Sequence, residues 1–279
     1  MVDTHCHLNI IIKKEPEVTL SPNYLPIIDT IISEAYQHDV HTIINVGTSI
    51  IESANSITIA KHNSHVYASI GIHPTDLTVD WKKDVLTLGQ WAAHKNEHKI
   101  VAIGECGLDL FHKKTSLALQ KDGFKAQIEL ALEYALPLIV HSRNAYEETL
   151  RVLEPYIKDL LKGVFHCFSY DKAFATQAID WGFMLGIGGT ITYPKNDILK
   201  EVVRTCPIDH IVLETDAPFL PIQSMRGKMN HPLYISFIAE VIAEIKQNSK
   251  DTIASTTTKN AHKLFNILMP ENTSSSNPV

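Results

Sequence analysis

The sequence predicts a single (β/α)8 barrel, and three observations carry that prediction. Eight short apolar runs recur along the chain, amphipathic helical stretches separate them, and the 279 residues fall near the roughly 250 typical of such a barrel. Parallel strands covered on both faces read as unbroken apolar runs. Strand-then-helix alternation is what βα units require. A doubly wound open sheet meets the same criteria, because periodicity does not show closure.

The eight runs are residues 2–7, 42–46, 66–70, 100–104, 137–141, 163–168, 183–187 and 211–216. Between them, Phe124, Ile128, Ala131, Leu132 and Ala135 recur at helical spacing, as do Phe237, Ile238, Val241, Ile242 and Ile245. Pro137 and Pro207 stop helices just before the next strand. A last helix carries Ile253, Ala261, Leu264, Phe265 and Leu268. No linker divides the chain, so residues 1–270 read as one barrel domain. The Ser/Asn/Pro-rich tail, 271–279, reads as disordered.

Composition narrows the class. Apolar residues make up 44% and charged residues 20%, an ordinary globular balance. No stretch approaches the 18 or so consecutive apolar residues of a membrane span, and the first residues lack the features of a signal peptide. Four cysteines without a Cys-x-x-Cys pair exclude a disulfide framework. A cytoplasmic protein with reduced thiols is expected. The formal charge of −6 gives no hint of a nucleic-acid partner, which usually calls for a basic domain. The outlier is histidine, with 15 copies.

Several of these histidines fall at strand ends. In His5-Cys6-His7, alternation sets both imidazoles on one face and Cys6 on the other. Glu105 follows the fourth run, His141 ends the fifth, His166 lies near the end of the sixth and Asp216 ends the eighth. The last four are spaced 36, 25 and 50 residues apart, close to multiples of a βα unit. All six groups therefore converge on the C-terminal mouth, where barrel enzymes keep their active sites. Four imidazoles and two carboxylates exceed the three protein ligands usual for one catalytic zinc. Two divalent ions, with a carboxylate such as Glu105 between them, fit better. Such mixed donors accept Mg, Mn, Zn, Co or Ni. Cys6, Cys106 and Cys167 neighbour these residues and read as packing groups, with Cys6 and Cys167 turned toward the helices. Gly186-Ile-Gly-Gly189 lacks the spacing of a nucleotide-binding loop and reads as room left for substrate.

Seven ordered motifs carry a family resemblance: Asp3-Thr-His-Cys-His-Leu8, Gly71-Ile-His-Pro74, Ala102-Ile-Gly-Glu-Cys-Gly-Leu-Asp109, Val140-His-Ser-Arg143, Phe165-His-Cys-Phe-Ser169, Glu214-Thr-Asp-Ala-Pro218 and Arg226-Gly-Lys228. From Asp3 to about Phe265, the chain resembles TatD-type metal-dependent deoxyribonucleases of the amidohydrolase superfamily. The resemblance implies the barrel, divalent metals and hydrolysis of DNA phosphodiesters, often from the 3′ end. It implies that His5, His7, Glu105 and Asp216 hold one ion and that Glu105, His141 and His166 hold a second. It places His73 near the site against substrate, and Arg226 and Lys228 against phosphate. Leu110 and Phe111 stand where the family often has an aromatic pair, and His231 replaces a frequent acidic residue.

Phosphodiester hydrolysis needs an activated water and neutralised phosphoryl oxygens, which two divalent ions supply. Asp216 then serves as ligand and proton acceptor. Arg143 follows a ligand strand and can meet a phosphate. Lys13-Lys14, Lys82-Lys83 and Lys113-Lys114 lie near loops on the same side and are candidates for contact with single-stranded DNA or 3′ ends. Two other readings share these features. A hydrolase of the same superfamily could act on esters, lactones, amides or aminoacyl-nucleic-acid bonds, and a scaffold could bind metal without catalysis.

Overall fold

A computed structural model describes residues 1–268 except Lys14, Lys113 and Leu160. The expected tail, 271–279, lies outside the described residues. Eight parallel strands form one sheet in strict chain order: β1 (Val2–Cys6), β2 (Thr42–Val46), β3 (Val66–Ile70), β4 (Ile100–Asp109), β5 (Leu138–Arg143), β6 (Gly163–Phe165), β7 (Phe183–Ile187) and β8 (Ile211–Leu213). The helices that matter below are α1 (Leu8–Lys13), α2 (Leu25–Tyr36), α3 (Ile50–His62) and, last in the chain, α4 (Lys250–Phe265).

The sheet curls into a barrel whose seam is closed by the segment after β8. There the His7 N–H donates to the Ala217 carbonyl at 2.8 Å and the Asp216 N–H to the His5 carbonyl at 2.8 Å. The Thr4 hydroxyl donates to the Leu213 carbonyl at 2.9 Å. Closure thus resolves the choice between barrel and open sheet.

Apolar residues separate into two layers. Val2, Ile44, Val46, Val101, Ile139, Val164 and Val212 fill the barrel interior, and Leu264, Phe265 and Ile267 at the end of α4 plug its floor. A larger layer, including Ile43, Ile70, Ile103, Phe124 and Phe174, packs between sheet and helices. Both faces of every strand are therefore buried, which is why the strands read as unbroken apolar runs.

Strand ends differ from the sequence expectation in an instructive way. β4 runs to Asp109 and not to Gly104, because Gly104 and Gly107 hold the extended, positive-φ backbone (143° and 144°) that side chains resist. β6 and β8 stop early, at Phe165 and Leu213. Beyond them the chain turns: Cys167 has φ 46° and Asp216 φ 57°, left-handed conformations that break strand alternation.

Candidate metal centre

Two bulges aim the chemistry. On β1, Asp3 pairs Ile43 and Cys6 pairs Asn45, so three steps on β1 run beside two on β2. On β4, Ile103 pairs Leu138 and Cys106 pairs Val140, again three against two. An extra residue in one strand switches which way the following side chains point. Val2 faces the interior, yet Cys6 packs in the outer layer, and His5 is released toward the mouth. Cys106 likewise packs outward while Glu105 turns inward.

The resulting cluster is compact. His5 Nε2 and His7 Nε2 lie 3.2 Å apart, and Asp216 Oδ1 sits 3.6 Å from the first and 3.4 Å from the second. Glu105 divides its two oxygens: Oε2 lies 3.4 Å from His5 Nε2, and Oε1 lies 2.8 Å from both His141 Nδ1 and His166 Nε2. All six expected groups are therefore brought together. His73 joins them, with Nε2 3.6 Å from Glu105 Oε1 and its ring edge-on to His141 at 4.3 Å. It belongs to the donor cluster itself, closer in than the resemblance implies.

Surrounding residues fix the rings. His7 Nδ1 is bonded to the Val46 carbonyl at 3.0 Å. His141 Nε2 faces buried Asp109 Oδ2 at 3.2 Å, and the same oxygen bonds His112 Nδ1 at 2.7 Å. A carboxylate or carbonyl behind an imidazole sets which nitrogen is free to bind. His5 stacks on His166 at 4.0 Å. Asp3 Oδ2 accepts from the Thr215 hydroxyl at 2.6 Å and Oδ1 from the Thr215 N–H at 2.9 Å, clamping the segment that carries Asp216.

Electrostatics follow from burial and crowding. Burial alone pulls His166 down, but Glu105, Glu214 and Asp216 outweigh it and raise the ring to about 10. Burial and the neighbouring His141 push His73 down to about 3. Burial raises Glu105, yet His166, His73 and His141 more than offset this and hold it well below the carboxylate range. Glu214 is pushed up by burial to about 8.

These residues fit divalent cations. Imidazole nitrogens 3.2 Å apart face each other in two places, His5 with His7 and His141 with His166. Three groups of donors lie close enough to share an ion: His5, His7 and Asp216; His5, Glu105 and His166; His73, Glu105 and His141. Glu105 offers a separate oxygen to each half, and nitrogen–oxygen sets of this kind suit zinc and its divalent neighbours.

Some expectations are corrected. Cys167 does not turn to the helices: its N–H donates to Glu214 Oε1, and its thiol is raised by burial and by the carboxylates of Asp216, Glu214 and Glu105. Gly186 and Gly189 do not make room for substrate. A Cβ on Gly186 would lie 2.3 Å from Glu214 Oε2, and one on Gly189 would lie 2.5 Å from the Leu220 carbonyl. Lys13 is turned away from any substrate, because its ammonium bonds buried Glu52 at 2.8 Å. Lys14 and Lys113 lie outside the described residues. Arg143, Arg226 and Lys228 are exposed and form no ion pair among the described residues. The guanidinium of Arg143 sits 4.3 Å over the Phe111 ring and that of Arg226 5.0 Å over Tyr193. His231 caps a turn by accepting from the Leu233 N–H at 3.2 Å and lies 3.2 Å from Glu34 of α2.

Sequence reasoning gave Asp109 and Glu214 no role, although both lie inside its motifs. The signal was there. Glu214 precedes Asp216 by the two-residue period of a strand, and an acid within an apolar run needs a partner.

An eight-stranded barrel with this donor set at the ends of its strands has the architecture of a metal-dependent hydrolase. The family model described as TatD related DNase matches residues 2–266. The chain belongs to the TatD family. It is 35% identical to a Bacillus subtilis protein named as an uncharacterized metal-dependent hydrolase, YabD, over 96% of this chain and 99% of that one. It is 30% identical to the Citrobacter rodentium 3′-5′ ssDNA/RNA exonuclease TatD, over 86% of this chain and 92% of that one. The crystal structure of the Escherichia coli TatD homologue YjjV superposes with a TM-score of 0.85 at 29% identity, covering 96% and 98% of the two chains. Among the described residues no helix is long and apolar enough to cross a membrane, and all four cysteines are free.

Proposed function

We propose that this protein is a divalent-metal-dependent deoxyribonuclease that hydrolyses DNA phosphodiester bonds, working 3′ to 5′ on single strands or 3′ ends. The observation that carries the reading is the division of Glu105 between two groups of imidazoles, with Oε2 toward His5 and Oε1 toward His141 and His166. His5, His7, Glu105 and Asp216 would hold one ion, and Glu105, His141 and His166 the other, with His73 beside them. Bound there, two divalent ions would supply Lewis acidity at the phosphoryl oxygens and lower the pKa of water.

The chain's own residues do the rest. Burial raises Asp216, but His7, His5 and His166 outweigh it and keep the carboxylate ionised. It is thus able to accept a proton from the attacking water. Arg143, Arg226 and Lys228 stand exposed and unpaired among the described residues, available to strand phosphates. The name of the Citrobacter relative supports a nucleic-acid substrate. The test is hydrolysis of single-stranded DNA, RNA and small esters by metal-stripped protein restored with one ion at a time. Ester turnover without DNA cleavage would overturn the reading, and bound metal with no turnover would point to a scaffold.

A further inference from the structure

A sizeable cavity lies away from the mouth. It lies at the opposite end of the barrel, where the strands begin, with a volume of about 620 Å³. That is within the range of small-molecule sites, about 300–1,000 Å³. Its lining combines two chemistries. Four lysines line it, Lys95, Lys99, Lys162 and Lys263, against one acidic residue, Asp159. Apolar surface forms the remainder, including Tyr67, Pro137 and Leu264.

Two of the lysines, Lys95 and Lys99, are partly buried and held by backbone carbonyls. None of the four forms an ion pair among the described residues. Lys99 is half-buried and bonds only the carbonyls of Asn63 at 2.7 Å and Ser64 at 3.3 Å. Its ammonium also stands 4.9 Å over the Tyr67 ring. Lys95 bonds only the Tyr134 carbonyl, at 2.5 Å. Burial, with no acid nearby, pulls Lys99 below the usual lysine range. Carbonyl partners fix these cations in place and leave their charge uncompensated.

We propose that this cavity is a second binding site, for a small phosphate ester with a planar ring, the class of a nucleoside monophosphate. The phosphate meets the lysine cluster, and the ring lies on the apolar surface beside Tyr67. A free phosphate would satisfy the charges but leave the apolar surface uncovered, and a neutral nucleoside would do the reverse. The two halves of the ligand are therefore required together. The inference stands apart from the chemistry at the mouth, since all four lysines lie at the opposite end of the strands.

Calorimetric titration with deoxyadenosine 5′-monophosphate, deoxyadenosine and inorganic phosphate tests it. The monophosphate is expected to bind, with the nucleoside and the phosphate each weaker by about tenfold or more. Lys95→Gln/Lys99→Gln is expected to weaken binding by at least about tenfold. Lys162→Gln/Lys263→Gln, at exposed positions outside the apolar core, should act in the same direction. Lys125→Gln/Lys172→Gln, at exposed positions outside the cavity, should leave it unchanged. Three results would overturn the proposal: no binding of the monophosphate, equal binding of phosphate alone, or retention of full binding in both variants of the cavity lysines.

Discussion

His5 and Asp216 meet twice. The Asp216 N–H donates to the His5 carbonyl at 2.8 Å, and Asp216 Oδ1 stands 3.6 Å from His5 Nε2. One contact closes the barrel and the other belongs to the donor cluster, so a single pair of residues serves fold and chemistry. Replacing the carboxylate alone separates the two. Asp216→Asn keeps the backbone contact, and we expect an unchanged melting temperature with hydrolysis of single-stranded DNA slowed about 10²–10⁴-fold, the range for a lost general base. Near-wild-type turnover with metal content preserved would remove Asp216 from that role.

Glu105→Gln should be more severe. The substitution leaves the bulge on β4 intact but removes the charge shared by both halves of the cluster. Metal content, read by elemental analysis, is expected to fall along with activity. If two equivalents of metal stay bound, Glu105 is not the shared ligand.

Glu52 provides a pH test away from the centre. Buried in α3, it accepts from Lys13 at 2.8 Å, from the Asn55 amide at 3.0 Å and from the Glu17 N–H at 2.6 Å. Burial raises its pKa, but Lys13, Asn55 and Asn9 more than offset this and the net shift is downward. A carboxylate whose folded pKa is depressed contributes stability above its unfolded pKa, about 4.3, and loses it as pH falls through the folded value. Glu52→Gln should therefore cost about 3–5 kcal/mol near neutrality, the usual penalty for breaking a buried pair. The gap from wild type should narrow below about pH 4. Thermal melts of both proteins across that range check it, and a pH-independent gap would contradict it.

Gly186→Ala places a methyl group against Glu214 Oε2 and 3.1 Å from the His166 Cα. Overpacking of this kind costs about 1–3 kcal/mol, and the strain falls on the residue that carries a candidate ligand. A lower melting temperature together with weaker metal binding is expected. A neutral outcome would mean that Glu214 can swing aside, although it is fully buried.

The exposed cations at the mouth give a salt-dependent signature. Combined Arg143→Gln, Arg226→Gln and Lys228→Gln should flatten the dependence of single-strand binding on salt by about two in the logarithmic slope. KM should rise more than kcat falls, because these side chains hold the substrate and stand apart from the reacting bond. An unchanged slope would show that the strand takes another path.

Much of this was legible in the sequence, for identifiable reasons. Burial on both faces wrote β2, β3 and β7 as unbroken apolar runs, and their bounds agree residue for residue. The six donors converge because every strand end of a parallel barrel faces one mouth. Two things were hidden. The bulges at His5 and Glu105 depend on register against a neighbouring strand, which one strand's pattern does not contain. The glycines near β7 looked like vacant space, and only the position of Glu214, 28 residues away along the chain from Gly186, shows that the protein fills it.

The seam between β1 and the segment after β8 has a temporal consequence. Thr215, which clamps Asp216 in position, is 212 residues from its partner Asp3. On a ribosome the amino end of the centre emerges first and waits for nearly the whole barrel to be made. Until then no nascent chain holds a complete donor set. On the proposed function, hydrolysis by the growing polypeptide would wait until the segment after the last strand is in place.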